Sequence, residues 1–395
     1  MLVALTENDN IISLASLRLE KEELLQLRHE CTFLCPACRN EVILKLGTKQ
    51  AWHFAHKSKQ SCTDELEGES PYHIEGKKLL FEWLQKQKLD VRLEPYLQDI
   101  KQRPDLLVTT TKQTYAIEFQ CAKISPQLFN KRTFTYQKNN LIPIWILGGN
   151  QLKRQHRNIY RLTSFHWLFS NNYFTKSPPQ ILSFCPLNKT FINLKNLTAI
   201  SSNNSITSPS YISLKDLSLQ KLFDFDKPFP DIGAWLEAKK LWRKQRLHLS
   251  QSQQFLRRLY YEKGQSLWLF PSEAGIPVSF HYFIETPTYI WQSWLLEIFI
   301  NTKKIGDTFH CTLVRRAFYT LVKKGIFPLR MLPLLENGSY FLAIDGYLKF
   351  LCHVGILTTR DQVIYEKTAE IPTQKNLAQA IINDRYLFLR YLRMK

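Results

Sequence analysis

The sequence lacks any apolar run long enough to cross a membrane, since a spanning helix needs about 20 consecutive apolar residues. The richest apolar stretch, Tyr289 to Ile300, is short and contains Glu297. The first residues, Met1 to Glu7, also lack the basic segment and the longer apolar segment of a secretory signal. These absences predict a soluble cytoplasmic protein.

Acidic residues are scarce relative to basic ones. The chain has 34 Asp and Glu against 53 Lys and Arg, which gives a formal net charge of +19 and a pI near 9.5. This surplus favours nucleic acid as the partner. A basic surface that only aids solubility is the alternative. A polybasic membrane tail is disfavoured, because the charges are interleaved with aromatics over several segments.

The length and the apolar content limit the architecture. A chain of 395 residues is too long to fold around a single ordinary hydrophobic core. Its content of 44% hydrophobic residues, with 13% aromatics, excludes general disorder. The pattern predicts an α/β mixed protein with three domains: a zinc-ribbon-like module over 1–66, a central domain over 67–232, and a mostly helical domain over 233–395.

The eight cysteines are expected to be thiols or metal ligands in a reducing compartment. Cys35 and Cys38 form a Cys-x-x-Cys, and His53, His56 and Cys62 follow at a spacing typical of a zinc ribbon. The favoured ligands are Cys35, Cys38, His56 and Cys62, with His53 as the competitor of His56. A redox motif is disfavoured, because a strand rather than a helix is predicted after Cys38.

The central domain is predicted to run in the order α-β-β-β-α-β. Ser70 as N-cap and Pro71 at the first helical position predict a helix start. The remaining elements are predicted as strands over 91–97, 105–110 and 115–121, a helix over 125–139 and a strand over 142–147.

Two carboxylates in this domain, Asp105 and Glu118, occupy strand positions where an apolar side chain would be expected. A buried lone carboxylate costs several kcal/mol unless it is paired or bound to a cation. Two on neighbouring strands favour a divalent metal between them, as a phosphodiester-cleaving site needs. The alternative is that Asp105 caps a turn and Glu118 pairs with a lysine.

These residues carry a resemblance. His73 on the helix, Pro104-Asp105 and Glu118-Phe119-Gln120 resemble the PD-(D/E)xK nuclease fold. Together with the Cys-x-x-Cys and His-Phe-Ala-His segments, the chain resembles the competence protein CoiA family. The resemblance implies that Asp105 and Glu118 bind catalytic Mg²⁺ or Mn²⁺ and that His73 completes the metal shell.

One position departs from the nuclease pattern. Gln120 stands where the fold usually has a lysine that activates the attacking water. Glutamine can position a water but supplies no positive charge. Lys77, which shares a helix face with His73, or Lys123 could supply that charge instead.

Several basic segments are candidate DNA contacts. Arg132 and Tyr136, one helical turn apart, are expected to hold a phosphate near the carboxylates. Further candidates are Lys153, Arg154 and Arg157, followed by Lys239, Lys240, Arg243, Lys244, Arg246, Arg257 and Arg258. Solvated helix faces, or packing by the interleaved tryptophans, are the alternatives. Helices followed by a hairpin over 355–365 hint at a winged-helix domain.

The resemblance implies a role in natural transformation, with hydrolysis of single-stranded or branched recombination DNA alongside the recombinase RecA. A non-catalytic DNA-binding accessory is the rival hypothesis, which Gln120 permits. A structural adaptor is a third, and it predicts no salt-sensitive DNA binding.

Overall fold

The computed structural model describes residues 1–16, 20–48, 51–57, 62, 69–172, 179–223, 231–244, 249–335 and 338–393. Three sequence predictions lie outside these residues: an interdomain linker at the proline-containing segment 226–230, the start at Arg18 of a charged helix running to His29, and the candidate contact Arg246. No helix in the described part of the chain is long and apolar enough to span a membrane.

The N-terminal module is a small antiparallel sheet with one helix packed against it. Its elements are β1 (Val3–Thr6), β2 (Ile11–Ser13), α1 (Lys21–Glu30), β3 (Phe33–Leu34), β4 (Glu41–Lys45) and β5 (His53–His56). The strands lie in the order β2-β1-β3-β4-β5. Phe33, Leu44 and Phe54 form the centre of a small apolar core.

The central domain begins with a helix that its first residues cap. Ser70 accepts a hydrogen bond from the His73 N–H, and Pro71 opens the helix. The elements are α2 (Pro71–Lys86), β6 (Asp90–Leu93), β7 (Leu106–Thr109), β8 (Thr114–Gln120), α3 (Pro126–Lys138) and β9 (Leu141–Gly148). This succession of helices and strands follows the sequence prediction, except that the first strand ends at Leu93 rather than at residue 97.

Helices cover both faces of the central strands. β8 pairs antiparallel with β7 and parallel with β9. Ile117 and Phe119 belong to the same core cluster as the buried residues of α2. Ala116 clusters instead with Tyr136 of α3. Since successive strand residues point to opposite faces, Glu118 is directed towards α3.

The sheet then extends through a segment for which the sequence pattern left a solvated basic helix open as an alternative and predicted irregular strands and loops after it. Residues 153–161 form a β-hairpin instead. The elements are β10 (Lys153–His156), β11 (Ile159–Arg161), α4 (Ser164–Trp167), β12 (Ile181–Cys185), β13 (Thr190–Ala199) and β14 (Asn204–Ser213). The sheet order is β10-β11-β14-β13-β12-β9-β8-β7-β6, so β10 is an edge strand.

The C-terminal region is mainly helical, with a small sheet. Its elements are α5 (Ile232–Trp242), α6 (Gln251–Glu262), α7 (Thr288–Leu295), β15 (Thr308–His310), α8 (Cys311–Lys323), α9 (Tyr340–His353), β16 (Leu357–Thr358), β17 (Ile364–Lys367) and α10 (Leu377–Arg393). The strand order is β15-β17-β16. A cluster around Trp235, Trp291 and Tyr347 forms the core.

Candidate metal centre and carboxylate site

Four side chains of the N-terminal module converge on one point. One ligand atom from each of Cys35, Cys38, His56 and Cys62 lies within 4.8 Å of the others. The Cys35 and Cys62 sulfurs are 4.0 Å apart, and the Cys38 sulfur is 3.3 Å from His56 Nε2. Two thiolates at the usual Zn–S length of about 2.3 Å in a tetrahedron are separated by about 3.8 Å. The group therefore fits a zinc ion.

The strand geometry separates the two candidate histidines. His53 and His56 are three residues apart on β5, so they lie on opposite faces of the sheet. His53 Nδ1 contacts the Ala51 carbonyl oxygen at 2.8 Å instead of joining the cluster. Burial raises the pKa of the Cys35 thiol, and burial, with Arg103 nearby, lowers the pKa of His56. Neutral imidazole is the form that binds a metal.

Asp105 lies just before β7 and turns towards α2. Its Oδ2 accepts a hydrogen bond from the Phe119 N–H at 2.8 Å and contacts His73 Nε2 at 3.3 Å. Lys77 Nζ lies 3.7 Å from Oδ1. Burial alone would raise the pKa of this carboxyl, but His73 and Lys77 outweigh it and lower the pKa to about 2. Asp105 is therefore ionised and held by contacts with two residues of α2.

Glu118 is buried on the other face of the sheet. Its Oε1 accepts hydrogen bonds from Arg132 Nη2, at 2.5 Å, and from the Tyr136 hydroxyl. Burial would lower the pKa of Arg132, but Glu118 and Tyr136 together outweigh burial and raise it. Burial and the neighbouring carboxylate raise the pKa of Tyr136. Glu118 is thus held in an ion pair with α3.

The sequence predicts that Asp105 and Glu118 bind one metal ion together, but in the structure their carboxylates do not converge. Within the described residues, the Cys35 group is the one place where three or more potential ligands gather within 4.8 Å. Asp105 and His73 contact each other, but Glu118 is held by a different helix. The reason is geometric: one side chain turns to α2 and the other to α3. In this arrangement the residues do not fit a catalytic Mg²⁺ or Mn²⁺.

Lys77 lies at the centre of a buried acidic group. It is fully buried, donates to Glu69 at 2.7 Å and forms a hydrogen bond with Glu94. Glu94 also accepts hydrogen bonds from the N–H groups of Leu2 and Val3, which tie the N-terminal strand to the central domain. No local sequence pattern points to Glu94, because its partners are 17 and about 90 residues away.

Gln120 follows Glu118 at the end of β8 and does not reach the acidic group. Its Nε2 donates to the Ala122 carbonyl oxygen at 2.9 Å. The water-activating position of the nuclease pattern therefore holds a neutral side chain that bonds to its own loop.

Three of the candidate DNA contacts are wrong because they are buried. Lys239 and Arg243 are each 1% exposed and pair with Asp384 inside the C-terminal core. Tyr136 is buried and donates to Glu118. Arg132 is partly exposed, but its Nη2 is committed to Glu118.

The other described candidates are exposed. They lie on the β10–β11 hairpin, at the end of α5 and on α6: Lys153, Arg154, Arg157, Lys240, Lys244, Arg257 and Arg258. The hairpin is the most concentrated of these surfaces, and in the described part of the chain its three residues make no salt bridge with an acid.

The free energy of unfolding at acidic pH tests the environment of Asp105. Its pKa of about 2 in the folded state lies below the ordinary 3.8, so its stabilisation is complete above about pH 4 and disappears as the pH falls towards 2. Asp105→Asn is expected to cost about 2 kcal/mol at pH 6 and progressively less at lower pH. Urea titrations from pH 6 to pH 3 measure this, and a constant cost would contradict it.

Comparison with known proteins covers most of the chain. Models of the competence protein CoiA match in three parts: the N-terminal domain over residues 17–65, the nuclease-like domain over 69–227 and the C-terminal domain over 231–381. The competence protein CoiA of Bacillus subtilis (strain 168) is 32% identical over 364 residues, which cover 90% of this chain and 95% of that protein. No solved structure matches the chain. The chain belongs to the competence protein CoiA family.

Proposed function

We propose that this protein is a DNA-binding accessory of competence, in which the nuclease-like domain holds DNA without a preformed catalytic metal site. The observation that carries the proposal is that different helices hold the two carboxylates. Glu118 is paired with Arg132 of α3, whereas Asp105 contacts His73 and Lys77 of α2. Displacing a buried partner would leave an unpaired charge, at a cost of about 3–5 kcal/mol.

The β10–β11 hairpin supports DNA binding. Its strand β10 is exposed along its length at the edge of the central sheet. Lys153, Arg154 and Arg157 face solvent without acidic partners in the described residues. Basic side chains held on a rigid edge can contact successive phosphates and release counterions.

The variant K153Q/R154Q/R157Q tests this surface. We expect it to lower the slope of log K against log salt by about 2 to 3, because each lost phosphate contact removes about 0.7 to 0.9 from the slope. Fluorescence anisotropy with single-stranded and branched DNA measures it. The matched control K375Q/R385Q/R390Q removes three exposed charges from the C-terminal region. Absence of binding by the wild type would overturn the proposal.

A second candidate function is metal-dependent hydrolysis of DNA. One observation favours it: Asp105 Oδ2 accepts a hydrogen bond from the Phe119 N–H, so the Asp105 carboxylate lies beside the backbone of the residue that follows Glu118. Hydrolysis would require Glu118 to leave Arg132.

Incubation with Mn²⁺ and single-stranded or branched DNA separates the two functions. For the accessory we expect no cleavage beyond that of a D105A/E118A control. Cleavage by the wild type alone would establish hydrolysis. Cleavage by both proteins would identify a contaminant, and a repurified sample would then decide.

The family resemblance also suggests RecA as a partner on recombination DNA, which we include in the proposal. Co-sedimentation with RecA filaments on single-stranded DNA tests this, with DNA alone as the control. Equal recovery with and without RecA would exclude this part of the proposal.

A further inference from the structure

We infer that the exposed face of helix α8 is a second DNA-backbone surface, in which Arg316, Lys323 and Lys324 contact phosphates and Tyr319 packs against the nucleotides. This inference rests on the proposed function, because it requires that the protein binds DNA. These four residues lie outside the basic segments that the sequence analysis names as candidate DNA contacts.

The helix has two sharply different faces. Cys311, Val314, Phe318 and Leu321 are buried against the C-terminal core. These positions recur at spacings of three and four, as expected for one face of a helix. The opposite face is exposed and holds Leu313, Arg316, Tyr319, Thr320 and Lys323, with Lys324 directly after the helix.

The basic groups of this face are not neutralised by acids in the part of the chain that the structure describes. In the described residues, Arg316, Lys323 and Lys324 form no salt bridge with an acid. Arg315, on the side of the helix, is different: it forms a bidentate pair with Asp345 of α9. The helix therefore separates a paired arginine, which fastens α8 to α9, from cations that face solvent.

An aromatic ring lies between the cations. Lys323 Nζ is 4.7 Å from the centroid of the Tyr319 ring, and Tyr319 is 46% exposed. Arg316 and Lys323 are seven residues apart, about 10 Å along a helix. The two cations therefore lie on either side of Tyr319 along the exposed face of the helix. Basic and aromatic side chains together are typical of surfaces that bind single strands.

The neighbouring helix α9 offers no such surface. The winged-helix hypothesis points to the helix before the hairpin as the one that enters a DNA groove. α9 instead buries Ala343, Ile344, Tyr347 and Leu348 in the core. Its exposed polar residues are Lys349 and His353. The face that meets DNA is therefore on α8.

The test compares two triple variants of the full chain. R316Q/K323Q/K324Q removes the cations of α8, and K375Q/R385Q/R390Q removes the same charge from exposed positions elsewhere in the C-terminal region. We expect the α8 variant to lower the salt slope of DNA binding by about 2 to 3, while the control lowers it by less than 1. Circular dichroism and thermal melts verify that both variants fold.

The single variant Tyr319→Ala supplies an independent measurement. We expect single-stranded affinity to fall about tenfold, since a base stacks on an exposed aromatic side chain in single-strand binding, and duplex affinity to fall much less. If the α8 triple variant and the control have equal slopes, the inference is overturned, although the proposed function stands. If the wild-type protein does not bind DNA, the proposed function is overturned, and this inference with it.

Discussion

His56→Ala is expected to release zinc from the protein and to unfold the N-terminal module. His53→Ala is expected to retain the zinc and the folded module. His56 Nε2 lies beside the Cys38 sulfur, while His53 faces the other side of β5 and contacts the Ala51 carbonyl. Structural zinc sites contribute about 10–16 kcal/mol to the folding of small domains. The small core around Phe33 and Phe54 is not expected to replace that contribution.

Metal analysis of the purified variants measures this effect directly. We expect one zinc per chain in the wild type and in His53→Ala, and less than a tenth of that in His56→Ala and Cys38→Ser. Cys31→Ser is a further control, because Cys31 lies outside the four-residue group. Loss of zinc from His53→Ala but not from His56→Ala would reverse the ligand assignment.

Asp384→Ala is expected to destabilise the C-terminal region by about 3–5 kcal/mol, because it leaves two buried cations without a counter-charge. Arg243 forms two hydrogen bonds of 2.7 Å with Asp384, and Lys239 Nζ lies 3.1 Å from the same carboxylate. Burial lowers the pKa of Lys239, so the lysine can lose its proton in the variant. Arg243 cannot.

The matched control is Asp345→Ala. Asp345 also forms a bidentate pair with an arginine, Arg315, but both side chains are partly exposed. Solvent screens such a pair, so we expect a loss of about 1 kcal/mol or less. Urea unfolding measures both variants. The addition of Arg243→Met to Asp384→Ala should recover stability, and failure to recover it would show that the loss does not come from an unpaired arginine.

Local sequence signals predicted the central elements well. Ser70 with Pro71 and Ser125 with Pro126 mark both helix starts, since each serine accepts a hydrogen bond from the first turn. The zinc ligands followed from spacing alone, except for the choice between His53 and His56. That choice needed the strand alternation of β5, which the sequence did not reveal.

In the basic segments, by contrast, local sequence signals did not predict which side chains are exposed. Lys239 and Lys240 are adjacent in sequence, yet the first is buried with Asp384 and the second is exposed. Asp384 lies about 140 residues further along the chain, so no local pattern could separate them. For the basic residues of 153–161, the alternative of a solvated helix face is excluded, because this stretch forms a hairpin that pairs with β14.

The sequence by itself determined the family, the order of elements in the central domain and the residue types available for zinc and phosphate. These follow from local spacing, capping and composition. Only the tertiary structure decided what each charge faces: Asp105 turns to α2, Glu118 to α3, and Arg243 to the core. The physical reason is that the energy of a charge depends on partners distant in sequence, which the fold alone brings together.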